Sequence, residues 1–199
     1  MKMLRGLRFV CALSAAATGA CATNIVQRPP AEELRGAQTA AMLERVKALG
    51  RSGDWLVIRG YHNTDNLVAA ATRSPFSHAA VLDLGRDEVI EAEAQGVHAS
   101  KLADFVHRAH RVLLIRPAWA DAETGPAALE KARLLVGKKY DFLGTVGVDD
   151  PDRYYCTELA IAVYRPFMRD KVAFPLVIEP GHLYYWGKVI YDSGSRDHP

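Results

Sequence analysis

Apolar positions along the chain follow helical spacing in some stretches and strand-like runs in others. Leu34, Ala41, Leu43, Val46 and Leu49 fall near helical spacing, Glu32 and Glu33 occupy the first turn, and Gly50 follows, which predicts a helix over 31–49. The apolar run Trp55 to Ile58, entered through Ser52-Gly53, predicts a short strand over 54–59. Residues 66–72 read as one or two helical turns closed before Pro75. Strands over 78–84 and 88–94 flank Gly85-Arg86-Asp87, a hairpin signal. A short helix is expected over 100–106, a strand over 112–116 stopped by Pro117, and a longer helix over 122–135. Residues 138–154 are polar and turn-rich, 155–165 read as a helix stopped by Pro166, and a last strand centres on 187–191. Clustered strands with helices on one side define an α+β fold. No internal repeat and no Gly/Ser-rich linker divides the sequence, so one domain is expected over 51–199, preceded by a tether and helix over 23–50.

The first 22 residues follow a different logic. Lys2, Arg5 and Arg8 form a basic start, Phe9 to Ala17 is mostly apolar, and small residues follow, the pattern of an export signal. Its end reads in two ways. Thr18-Gly19-Ala20-Cys21 resembles a lipobox, with Cys21 acylated as the first mature residue, although lipoproteins usually carry Leu where Thr18 stands. Ala20-Cys21-Ala22 also fits an ordinary signal-peptidase site. Export implies the cell envelope. With a lipid on Cys21, and no Asp after it to retain the protein in the inner membrane, the expected home is the periplasmic side of the outer membrane; without that lipid the protein is expected to be secreted. Without the basic start, 22 basic residues face 23 acidic ones, and no basic stripe marks a nucleic-acid partner.

Removal of the signal leaves Cys156 as the one cysteine of the folded region, in a compartment where disulfides form readily. A lone thiol there is either reactive or a small buried hydrophobe. Leu159, Ala162 and Val163 place Cys156 in the first turn of its helix. Unpaired N–H groups and the helix dipole favour a thiolate at that position. The sequence holds seven histidines, and His78 differs from the rest by opening a strand. Glu91 and Glu93 share one face of the next strand. A carboxylate there can orient the imidazole across the sheet, and Glu93 is expected to face water.

Together these residues resemble the YiiX/YaeF-like permuted papain-like amidases, relatives of the NlpC/P60 cell-wall hydrolases. The matching segments are Gly53-Asp54, Ser77-His78, Ile90-Glu91-Ala92, Lys139-Tyr140-Asp141-Phe142 and Tyr155-Cys156-Thr157-Glu158-Leu159, with a looser match at Val177 to Gly181. The histidine precedes the cysteine, as a permuted chain requires. The resemblance implies a circularly permuted papain-like fold, a small antiparallel sheet or half-barrel with helices packed on it. It also implies that Cys156 is the nucleophile, His78 the base and Glu91 the group that orients it. The backbone N–H of Cys156 is an expected oxyanion donor, and Tyr140 and Ser77 are expected substrate contacts. Asp141 either bonds the loop presenting the cysteine or caps a turn, and Glu158 is expected to serve the helix start.

The reading is a thiol hydrolase of amide bonds, working through a cysteine acyl-enzyme without a cofactor, on cell-wall peptides for example. A lipid or N-acyl hydrolase or acyltransferase on the same fold is the alternative within that chemistry. A non-catalytic envelope lipoprotein binding a cell-wall or lipid ligand is the alternative outside it. The expected partners are thus an amide or acyl substrate and, through Cys21, a membrane. No metal site is expected, because structural sites want four ligands with short local spacings and no Cys-x-x-Cys pair exists.

Overall fold

The computed structural model describes residues 26–148, 150–170 and 172–194. The export segment and Cys21 lie outside the described residues. Among those described, no helix is long and apolar enough to cross a membrane.

Helix α1 (Glu32–Leu49) leads into β1 (Trp55–Gly60) and α2 (Asn63–Thr72). The hairpin β2 (His78–Asp83) and β3 (Glu88–Glu93) follows, then β4 (Gly96–Lys101), α3 (Leu102–His107) and β5 (Ala109–Pro117). After α4 (Thr124–Leu134) come the two-residue strands β6 (Lys139–Tyr140) and β7 (Arg153–Tyr154), α5 (Cys156–Ala162) and β8 (Gly187–Asp192). Six strands form one curled antiparallel half-barrel in the order β4-β3-β2-β1-β5-β8, while β6 and β7 pair in parallel.

Strand β1 runs through the middle and is buried along its whole length. Its side chains alternate between two separate cores, as the two-residue repeat of a strand requires. Trp55 and Val57 join Ala79, Val81, Leu113 and Ile115 under α4 and α5. Leu56 and Ile58 join Ala80, Leu82, Val112 and Leu114 under α1 and α3. Burial on both faces is why the sequence shows an unbroken apolar run there and not an alternation. Helices therefore cover both faces of the sheet, where one face was expected.

Other departures are local. Gly96, at φ +107°, turns the chain into β4, so residues 96–101 extend the sheet and the helix expected over 100–106 begins only at Leu102. The helical turns expected from 66 start at Asn63.

Candidate active site

His78 opens β2, and Glu91 lies near the middle of β3; Glu91 is opposite Ala80 in the register. Both side chains occupy the sheet face of Ala80 and Leu82. The His78 Nε2 stands 2.6 Å from Oε2 of Glu91. That leaves the other ring nitrogen, Nδ1, for Cys156, which hydrogen-bonds the imidazole. Cys156 starts α5 on the opposite face of the sheet and is 8% exposed. The thiol and the imidazole thus meet where β2 begins.

Burial opposes charge on His78, but the Cys156 sulfur and the Glu91 carboxylate outweigh it and raise the imidazolium to about 10. Burial likewise opposes charge on Glu91. The hydrogen bond and charge of His78, with Arg108 and Ser100, outweigh it and lower the carboxyl to about 2. Glu91 is therefore an anion and His78 a cation over the whole neutral range.

Arg108, just past the end of α3, completes the group and carries no local sequence signal. Its Nη2 donates to Glu91 Oε2, and its Nη1 donates to Glu93 Oε1 at 2.5 Å. The guanidinium also stacks over Phe105, 5.1 Å from the ring centre. Glu93 is thus an ion-pair partner in the wall of the site, in place of the water-facing residue expected. His98, opposite Glu91 on β4, is a second addition, with Nε2 3.7 Å from Glu91 and 3.6 Å from Glu93.

The remaining expected residues divide in two. Tyr140 is half-buried and close enough to Cys156 for their charges to interact, and burial pushes its phenol up. Its ring packs edge-on against Phe142, 4.7 Å away. Ser77 points elsewhere. Its hydroxyl donates to Asp65 Oδ1 at 2.6 Å and accepts from the Gly60 N–H at 3.0 Å, so it fastens α2 to β1 and offers nothing to a cleft. Asp141 caps a turn, with Oδ1 accepting from the Gly144 N–H at 2.8 Å. Glu158 accepts from the Tyr155 N–H at 3.3 Å and serves the helix start.

His78, Glu91 and Glu93 offer ligand atoms within 4.8 Å of one another, close enough to raise the question of a metal ion. As they stand they do not fit one. Both carboxylates already hold Arg108, and His78 Nε2 is spent on Glu91. A divalent cation between them would face a guanidinium at contact distance. Dialysis against EDTA is expected to leave Cys156 alkylation unchanged, and the purified protein is expected to hold no stoichiometric divalent ion by elemental analysis. A one-to-one ion would mean that Arg108 had been displaced.

With this geometry in view, the comparisons with known proteins are specific. The model of the "Permuted papain-like amidase enzyme, YaeF/YiiX, C92 family" matches residues 51–176. Among solved structures, the crystal structure of the metalloprotein yiiX from Escherichia coli O157:H7 aligns with a TM-score of 0.50 and 24% identity, over 61% of this chain and 68% of that one. At that identity the likeness concerns the fold. No curated protein matches the chain.

Proposed function

Because the chain belongs to the YaeF/YiiX family of permuted papain-like amidases, we propose that it hydrolyses amide bonds through a thioester on Cys156. The observation that carries this reading is the placement of His78, with Glu91 on Nε2 at 2.6 Å and the Cys156 thiol on its other side. This is the nucleophile, base and orienting group that acyl transfer needs.

In the first half-reaction the Cys156 sulfur attacks the carbonyl carbon. The C–N bond breaks, and the amine leaves with the proton held on His78 Nδ1. The first turn of α5 offers the Cys156 N–H to the developing oxyanion. In the second half-reaction His78 takes a proton from water, the oxygen attacks the thioester carbonyl, the C–S bond breaks, and the acid leaves as the Cys156 sulfur returns to its place beside the protonated His78. Glu91 keeps the imidazole in place throughout, and Arg108 keeps Glu91 in place. The export signal and a lipid on Cys21 would put this chemistry in the cell envelope, where cell-wall peptides are within reach.

The test is a set of short acyl and peptidyl 4-nitroanilides, with acid quench and intact mass. The wild type is expected to release nitroaniline and to carry an acyl adduct on the Cys156 peptide, and Cys156→Ala to do neither. Turnover is expected to decline as pH rises through about 10, where His78 loses the proton it gives to the amine. Hydrolysis that survives in Cys156→Ala would reject the thiol mechanism.

A further inference from the structure

Two turns outside the catalytic group enclose a cleft of about 290 Å³. One wall is the turn after α2, with Arg73, Ser74 and Phe76, and the other is the segment after Ile178, with Glu179, His182 and Tyr184. Both walls are tied to the reacting residues. Phe76 lies two residues before His78. Ile178 bonds the residues on either side of Cys156: its N–H donates to the Tyr155 hydroxyl at 3.0 Å, and its carbonyl accepts from the Thr157 hydroxyl. The walls come together because Gly181 has no side chain; a Cβ there would lie 2.7 Å from Ser74 Oγ.

The first wall holds its polar groups in place. Arg73 ends α2 at φ +52°, in the left-handed region where helices ordinarily end on glycine or asparagine. An L residue kept there must be imposed on by its surroundings, and such residues cluster where ligands bind. Here the Thr72 hydroxyl accepts from the Ser74 N–H at 3.3 Å, and the Ser74 hydroxyl accepts from the Phe76 N–H at 3.2 Å. The Arg73 guanidinium and the Ser74 hydroxyl proton have no partner among the described residues. On the other wall, His182 Nδ1 accepts from the Glu179 N–H at 3.2 Å, which leaves the ring proton on Nε2. That nitrogen is 3.6 Å from the Glu179 carboxylate, beyond hydrogen-bond reach. Tyr184 is 45% exposed, and the ring of Tyr185 backs it at 4.1 Å between centres.

The composition of the cleft selects its ligand. Arg73 alone would favour an anion and Glu179 alone a cation. Lining one cleft together, they favour a neutral molecule that both donates and accepts hydrogen bonds. Tyr184 adds an aromatic face, whose negative quadrupole attracts C–H groups. The volume is at the low end for small-molecule sites, which start at roughly 300 Å³, so it suits one ring-sized unit. A pyranose has hydroxyls around its edge and C–H groups on its face, and meets all three conditions.

We propose that the cleft binds one neutral sugar ring, stacked on Tyr184 and hydrogen-bonded by Arg73, Ser74 and Glu179. The site does not depend on the thiol reading, and its place beside Cys156 fits a partner that carries a glycan.

The test titrates the full chain, labelled with nitrogen-15, with N-acetylglucosamine. Three controls separate the features of that probe: cyclohexanol is a ring without its set of hydroxyls, sorbitol a set of hydroxyls without a ring, and acetate a bare anion. Binding is read from the amide shifts of Ser74 and Gly181. The sugar is expected to bind at millimolar concentration, at least tenfold more tightly than any control. Tyr184→Ala is expected to weaken it at least tenfold, and Arg73→Gln and Glu179→Gln at least threefold each. Tyr184→Phe, which keeps the ring, and Arg86→Gln, between β2 and β3, are expected to keep the affinity. Absence of a sugar-dependent shift at Ser74 and Gly181, or an affinity unchanged in Tyr184→Ala, would overturn the proposal. Acetate binding more tightly than the sugar and lost in Arg73→Gln would make the cleft an anion site. Cyclohexanol binding as tightly as the sugar would make it an apolar groove. Either result would also overturn the sugar site, and none of these outcomes bears on Cys156.

Discussion

His78→Ala is expected to slow amide hydrolysis about a thousandfold but alkylation of Cys156 at pH 7 by about thirtyfold at most. The two readouts depend on different parts of the same pair. Alkylation needs only the thiolate. An ordinary thiol, near 8.5, is about 3% ionised at pH 7, so loss of the imidazolium beside the sulfur can lower alkylation by no more than about thirtyfold. Hydrolysis also needs a proton delivered to the leaving amine and taken from water, and such transfers contribute roughly 10²–10⁴. Rates of nitroaniline release and of Cys156 alkylation, measured on the same preparations, give both numbers. Equal losses would mean that His78 holds the thiolate and does nothing more. No loss in either would leave the contact between His78 and Cys156 without a catalytic purpose.

The parts of this molecule that were legible in its sequence are those written in local spacing. The run Trp55 to Ile58, the turn Gly85-Arg86-Asp87 and the helix-start cysteine each have a short-range cause, and each element lies where its residues predict. Glu91 was within reach because strand alternation and a tight hairpin leave few carboxylates able to meet His78. Strand β4 was hidden because Gly96 to Lys101 alternates weakly and runs directly into α3, so a helical period blurs over both. Arg108 was hidden for a different reason. Its partners are 15 and 17 residues away, and an arginine at a helix end ordinarily faces water. What would have exposed it is the charge balance of β3, where two glutamates enter a largely buried wall and need a cation. Ser77 misled through adjacency. Neighbouring residues in extended chain point to opposite sides, so Ser77, next to His78, is aimed away from the face that His78 shares with Glu91.

Gly53→Ala is expected to destabilise the protein by about 4 kcal/mol, the largest loss of stability foreseen for a single added methyl group. Gly53 sits at φ +94°, a backbone conformation that costs an L residue about 1–3 kcal/mol. Its added Cβ would lie 2.3 Å from the Gly125 carbonyl oxygen, a backbone atom at the start of α4 that no rotamer change can move. Relief by moving Gly53 is blocked as well. Its N–H donates to the Leu82 carbonyl at 2.8 Å, and its carbonyl accepts from the buried Tyr164 hydroxyl at 2.9 Å. Breaking the second bond alone costs about 1–3 kcal/mol, because it strands a polar group in the core. The consequences continue into Asp54, which is 1% exposed and pairs with Arg116 through both carboxylate oxygens, at 3.0 and 2.8 Å. The Gly53-Asp54 pair thus ties the entry to β1 onto α4 through Gly53 and onto β5 through Asp54, and its presence in the family pattern needs no contact with substrate. Urea unfolding followed by tryptophan fluorescence measures the loss. Gly36→Ala in α1, where an added Cβ meets nothing within 4 Å, is the matched control and is expected to gain about 0.5–1 kcal/mol. A loss below about 1 kcal/mol for Gly53→Ala would show that α4 yields at its first turn, and the glycine would then have to be explained by the site itself.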